Sequence, residues 1–211
     1  YRVPDAGTPN LKEVILCGAF RWPPKKMNLL GLLNADTFSA FADHGITVNV
    51  VGDADPQFVD HVNTTYPGVL MTGRVPDVRK YYARSRIALV PELMGGGLKL
   101  KLLEAAAMKK AIVALKGAVT VSGFTPGVHY EEATDFQDLV DKTVSLTSRP
   151  EDIDRYSRNA YEVIKARYNC RNTYNNLIDA IQRAQVVEKA WRQAHARPTC
   201  RKVSFHASTD R

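Results

Sequence analysis

Short aliphatic runs alternate with longer stretches of helical periodicity along the first part of the chain. "EVILCG" (13–18), "ITVNVVG" (46–52), "GVLMTG" (68–73), "RIALVP" (86–91) and "AIVAL" (111–115) are rich in β-branched residues and close on turn residues, which predicts strands. Between them, residues 26–43, 55–65, 76–85 and 98–109 are long enough for helices, and Leu30, Leu33, Thr37 and Phe41 gather on one helical face of the first. Continuous apolar strands separated by amphipathic helices need cover on both sheet faces. The pattern therefore predicts an α/β fold with a doubly wound parallel sheet, Rossmann-like in its alternation.

After residue 130 helical signals take over. Thr134 with Gln137, and Ser148 with Glu151, have capping-box spacing, and Pro150 suits the first turn of a helix. Ile153, Tyr156, Ala160, Ile164 and Tyr168 form one apolar stripe; Leu177, Ile181, Ala184, Val187 and Trp191 form another. Two or three C-terminal helices are expected to close the domain. Beyond about residue 195, "ARPTCRKVSFHASTDR" has no periodicity. The expected organisation is a linker over 1–11, a nucleotide-binding domain over 12–193 and a basic tail over 194–211.

Composition narrows the class. The 211 residues are 45% hydrophobic, enough for a sizeable core. There is no uninterrupted apolar run of membrane-spanning length and no signal-peptide layout at the start, and the chain is expected to be a piece of a longer protein. Cys17, Cys170 and Cys200 have neither disulfide nor zinc-ligand spacing, and the five histidines have no metal spacing. A cytoplasmic location, open to peripheral association with a membrane face, is the resulting expectation. The net charge of +7 suggests an anionic partner, although much of the excess lies after residue 188. That tail carries only Trp191 and Phe205 as aromatics, so no nucleic acid is expected.

The segment "ELMGGGLKLKLLEAAAMKKAIVAL" (92–115) carries the chemistry. Ligands of open α/β sheets bind beyond the carboxyl ends of the strands, and "RIALVP" ends just before Gly95, Gly96 and Gly97. Glycine amides can approach an anion closely, a helix starting near Leu98 adds its positive end, and Lys99 and Lys101 add full charges. Glu104 suits a vicinal diol such as that of a ribose. The glycines match neither GxxxxGK[ST] nor GxGxxG, which argues against P-loop hydrolysis and hydride transfer.

This stretch resembles the C-terminal, donor-binding domain of retaining glycosyltransferases of the two-domain GT-B fold. In the similar branch a Pro-ending strand runs into Gly-Gly-Gly-Thr-Arg-Leu-Lys-x-Leu-Glu-Ala-x-Ala-Met, and Gly95 through Met108 match in register, with Leu98 for Thr and Lys99 for Arg. "GAFRWPP" (18–24), "VVGD" (50–53) and "GRVPDVRKYYARSRIALVP" (73–91) resemble the family's first-strand turn, second-strand ending and third-strand passage. The resemblance covers roughly residues 12–180.

The resemblance implies a donor, a nucleotide-diphosphate sugar, whose diphosphate is held by Gly95, Gly96, Gly97, Lys99 and Lys101 and whose ribose is held by Glu104. Gly18 through Lys25 and Lys26 would give a second phosphate contact, and Arg74, Val75 and Pro76 the edge of the base. It further implies metal-independent transfer with retention and no cofactor, with the acceptor and any catalytic groups on a missing N-terminal domain. Lys101 holds the family's lysine position, whereas Lys99 lacks the fork of an arginine.

Departures from the pattern are equally specific. Eight residues before Glu104, where many relatives carry a sugar-contacting Glu, stands Gly96; Glu92 is near but out of register. Lys109-Lys110-Ala111 replaces Gly-x-Pro after the helix. The "DAD" of Asp53–Asp55 reads as a polar turn, since Pro56 follows. Leu100, Leu102 and Leu103 are expected in the core, Trp22 either packs under the first loop or stacks on a ligand, and His129 is expected near the same sheet edge. A noncatalytic sugar-nucleotide binding module and a nucleotide-sugar epimerase of the same fold remain the alternatives.

Overall fold

The structure, a computed structural model, describes residues 10–93, 99–120 and 123–194. Six strands, β1 (Asn10–Cys17), β2 (Thr47–Val51), β3 (Val69–Met71), β4 (Ser85–Val90), β5 (Ala111–Leu115) and β6 (Glu131–Ala133), form one sheet in the order β3-β2-β1-β4-β5-β6. Every pairing is parallel. The order reverses between β1 and β4, which creates the crevice where this class of sheet binds its ligands. The doubly wound α/β architecture is thus as the sequence pattern predicts.

The helices are α1 (Pro23–Leu33), α2 (Ala40–Asp43), α3 (Pro56–Thr65), α4 (Arg79–Arg84), α5 (Leu100–Ala107), α6 (Phe136–Thr147), α7 (Pro150–Arg167) and α8 (Cys170–Ala194). Prolines start α1, α3 and α7, where a missing N–H costs nothing. In α7, Glu151 and Asp152 occupy the first turn and Lys165 and Arg167 the last, each complementing the helix dipole. The core runs along both sheet faces, with Val14, Val48, Ile87 and Ile112 from the strands meeting Leu32, Phe41, Leu102 and Leu139 from the helices.

Three expectations need correction. The helix expected over 26–43 is two helices, because α1 ends at Leu33, with Asn34 as its C-cap, and successive tight turns, Phe38 N–H to Ala35 and Ala40 N–H to Thr37, lead into α2. The cap of α6 is Asp135, whose Oδ1 accepts from the Asp138 N–H at 2.8 Å while Asp138 accepts from the Thr134 N–H, one position later than a box starting at Thr134. Ser148 does not cap α7; its hydroxyl donates to the Ser145 carbonyl at 2.7 Å, and Arg149 is the N-cap residue.

The chain divides into two units between Tyr168 and Asn169. The first contains the whole sheet, closed by α6 and α7. The second contains α8, on which Ile181, Val187 and Trp191 of the expected apolar stripe are exposed. Residues 1–9 of the expected linker and 195–211 of the expected tail lie outside the described residues. Among the described residues, no helix is long and apolar enough to cross a membrane.

Candidate functional site

At the reversal point the chain leaves β1 at Cys17 and turns through Gly18 and Ala19 toward α1, while β4 ends at Val90 and leads to Pro91 and Glu92. These two exits and the start of α5 enclose a cavity of about 220 Å³, lined by Gly18, Trp22, Lys25, Glu92, Lys99 and Lys101 among others. Of the residues expected to bind the donor, Gly18, Lys25, Lys99 and Lys101 are therefore brought together. Gly95, Gly96 and Gly97, expected to complete the site, lie outside the described residues.

Lys99 and Lys101 reach one cavity although they are two positions apart. The reason is local: Lys99 is the N-cap residue of α5, with φ −81° and ψ 83°, so the helical rotation that would separate the two side chains begins only after it. Leu100 between them is 67% exposed and also lines the cavity, which corrects its expected core placement; Leu102 is fully buried. Trp22, 48% exposed, forms part of the wall and does not pack under the first loop.

The charged groups are paired. Glu92, buried, bridges Lys25 through Oε1 and Lys99 through Oε2, the latter at 3.1 Å. Lys101 pairs with Glu104 at 2.6 Å one turn along α5. Three ammoniums against two carboxylates leave the pocket wall net positive, and the amino end of α5 points the same way.

Beneath the cavity floor lies a second layer. Tyr82 on α4 is 1% exposed, and its hydroxyl lies beside the Glu104 carboxylate and the Cys17 thiol. Burial, reinforced by the charge of Glu104, pushes the Tyr82 phenol far above its ordinary range. Burial likewise pushes the Cys17 thiol up to about 11, against the lowering effect of the neighbouring Tyr82 hydroxyl. Both stay neutral at physiological pH, so the layer carries no charge of its own.

Other expected residues lie elsewhere. Lys26 places its ammonium 4.3 Å from the centre of the Phe58 ring on α3, away from the cavity wall. Arg74, Val75 and Pro76 follow β3 at the same carboxyl edge, beyond the β2 loop, and the cavity is walled without them. His129 precedes β6 by two residues, which puts it at the amino end of that strand and corrects its expected placement; its Nδ1 accepts from the Thr125 N–H at 3.0 Å. The "DAD" turn joins β2 to α3, and both its carboxylates hold Arg21 of the first loop, Asp53 at 3.1 Å. Among the described residues, no group of three or more His, Cys, Asp or Glu side chains is placed to hold a metal ion.

In the sequence Glu92 stands out of register with the sugar-contacting Glu of the resembled family. The usable signal was its place directly after the Pro that closes β4; what it pairs with, 67 residues away in the case of Lys25, is visible only in the fold.

The sequence matches the family described as glycosyl transferases group 1 over residues 12–149. No curated protein sequence matches significantly. Among solved structures, the chain is similar to TarM of S. aureus, with a TM-score of 0.68 at 14% identity over 85% of this chain and 37% of TarM. It is similar to Anabaena HepE, solved in complex with UDP, with a TM-score of 0.64 at 15% identity over 81% of this chain and 48% of HepE. Similarity to the C-terminal domain of a group 1 glycosyl transferase, LpcC, from Francisella tularensis has a TM-score of 0.59 at 18% identity, over 77% of this chain and 88% of that domain. The chain thus spans less than half of TarM and HepE but most of the isolated domain.

Proposed function

The chain belongs to the glycosyl transferases group 1 family and has the Rossmann-like sheet of a GT-B half, and from that premise we propose that it is the donor-binding part of an enzyme that transfers a sugar from a nucleotide-diphosphate sugar to a hydroxyl acceptor with retention. The observation that carries the reading is the convergence of Lys25, Lys99 and Lys101 on one cavity at the switch point, with the start of α5 beside them. The HepE structure in complex with UDP supports the same ligand class.

In this reading the diphosphate sits against Lys99, Lys101 and Lys25, with the amides of Gly18 and of Gly95, Gly96 and Gly97 as further donors. Glu104 takes the ribose, and the loop at Arg74, Val75 and Pro76 takes the base. Lys26, turned onto Phe58, acts at most through its field. When the bond between the anomeric carbon and the diphosphate oxygen breaks, its electron pair stays on the diphosphate, and preorganised ammoniums stabilise that charge. The acceptor oxygen bonds to the anomeric carbon on the face the diphosphate leaves and passes its proton to the departing diphosphate oxygen. No metal or cofactor is needed for these steps, and the acceptor is proposed to dock on an N-terminal domain that the enzyme carries in addition, with a membrane face as a further docking surface.

The test is product analysis with the full-length protein and a panel of nucleotide sugars. Release of nucleoside diphosphate together with a glycoside of unchanged anomeric configuration, abolished by Lys101→Ala, supports the proposal. Epimerised sugar nucleotide or inverted glycoside overturns it, and binding with no turnover would indicate a noncatalytic module.

A further inference from the structure

A carboxylate in the wall of a cavity that receives a diphosphate looks like a liability, because it repels the ligand. Glu92 nonetheless stands there, its side chain only 7% exposed, between the ammoniums of Lys25 and Lys99. The two lysines come from different elements, α1 and the N-cap of α5, and Glu92 is the group both of them touch. The Lys99 side chain is also only 7% exposed, so its ammonium has lost most of its water and needs a counter-charge to stay in place. The backbone beyond Glu92 is pinned as well: the Leu93 N–H donates to Oδ1 of Asn28, a buried residue of the same helix that carries Lys25, at 3.2 Å.

We propose that Glu92 is a positioning residue that acts on the donor diphosphate through Lys25 and Lys99. The shared carboxylate takes one hydrogen bond from each ammonium and holds two like charges side by side in the cavity wall, so that the site is organised before the anion arrives. This inference rests on the cavity being the diphosphate site. It opposes a simple count of charges: by that count, removing Glu92 tightens anion binding, whereas by its positioning role removal weakens it, because Lys99 loses a buried counter-charge and the two ammoniums repel.

The experiment is calorimetric titration of the chain with UDP, GDP and ADP, for the wild type, Glu92→Gln, Glu92→Asp, Lys25→Met and the Lys25→Met/Glu92→Gln double variant, with circular dichroism to confirm folding. For whichever diphosphate the wild type binds, Glu92→Gln is expected to weaken binding by about tenfold, a fraction of the cost of breaking a buried ion pair, since most of that cost falls on the free and bound states alike. Glu92→Asp, which keeps the charge, recovers part of the loss, and it carries the test should Glu92→Gln not fold. In the Lys25→Met background the effect of Glu92→Gln shrinks, because one of the two groups it positions is already gone. Equal or tighter binding by Glu92→Gln, Glu92→Asp as weak as Glu92→Gln, or an undiminished loss in the Lys25→Met background overturns the positioning role alone. Absence of wild-type binding to all three overturns the diphosphate reading of the cavity and this inference with it.

Discussion

Gly52 lies directly against Gly18: a Cβ built on Gly52 would stand 1.7 Å from the Gly18 carbonyl oxygen. Gly52 also has φ +145°, a region that side chains rarely adopt. Around this contact the Gly18 N–H donates to the Val51 carbonyl at 3.1 Å and the Phe20 N–H to the Asp53 carbonyl at 2.7 Å. The loop that forms one wall of the cavity is thus seated on the loop after β2.

Gly52→Ala is expected to lower the unfolding free energy by roughly 2–4 kcal/mol, since backbone strain and a clash with a main-chain oxygen act together. Gly45→Ala is the control. There φ is +65° but the nearest atom to an added Cβ is 3.9 Å away, so only the conformational cost of about 1–2 kcal/mol applies. Urea denaturation compares the two; equal losses would show that the Gly18 contact carries no weight.

Tyr82→Phe removes the hydroxyl that lies beside Glu104 and Cys17 without opening a cavity. A stability loss of about 1–2 kcal/mol is expected, since a carboxylate loses a buried donor. Donor affinity should fall with it, because Glu104 loses one of the groups that fix its direction. Thermal unfolding and nucleoside diphosphate titration check the two effects separately, and an unchanged affinity would count against Glu104 as a donor contact.

Lys110 gives a pH dependence of defined sign. Its buried ammonium donates to the Ser85 carbonyl at 2.8 Å, and burial, aided by the charge of Arg86, lowers its pKa to about 8 from an ordinary 10.5. Between those values the unfolded chain holds the proton and the folded chain releases it, so this group's contribution to stability rises with pH across the window and is constant below it. The difference in unfolding free energy between wild type and Lys110→Met should therefore climb from pH 8 to 10.5, by about 3 kcal/mol at most. Denaturant titrations at stepped pH values measure it; a flat difference contradicts the assignment.

Lys109 follows the end of α5 at a position that suits a helix-stopping glycine, and it adopts the left-handed conformation itself, with φ 54°. Its ammonium lies 4.7 Å from the centre of the Tyr161 ring, a contact that offsets part of the strain. Lys109→Gly is expected to be more stable than Lys109→Ala by about 1 kcal/mol, because both lose the ring contact and only Ala keeps the strain. Equal melting temperatures would refute this.

The sheet was legible because buried parallel strands announce themselves as apolar runs, and five of the six did so. β6 was missed: "EEA" has no apolar run and is a strand because Val113, Ala114 and Leu115 of β5 pair with it. The break between α1 and α2 was hidden because the tight turns at Phe38 and Ala40 keep nearly helical spacing between Leu33 and Phe41. In the site, Lys99 and Lys101 were readable from local order along the chain. The bridge from Lys25 to Glu92 was not, since a pairing across 67 residues depends on how β1 and β4 lie side by side.

The central claim is that the cavity between the ends of β1 and β4 receives a nucleoside diphosphate. Amide NMR spectra of the chain, recorded while UDP, GDP and ADP are added in turn, test it most directly. The account predicts that at least one of them shifts the signals of Gly18, Lys25, Glu92, Lys99 and Lys101 most strongly and leaves Lys110 and His129, at the amino edge of the sheet, in place. No shifts with any of the three, or shifts centred on that amino edge, would contradict it.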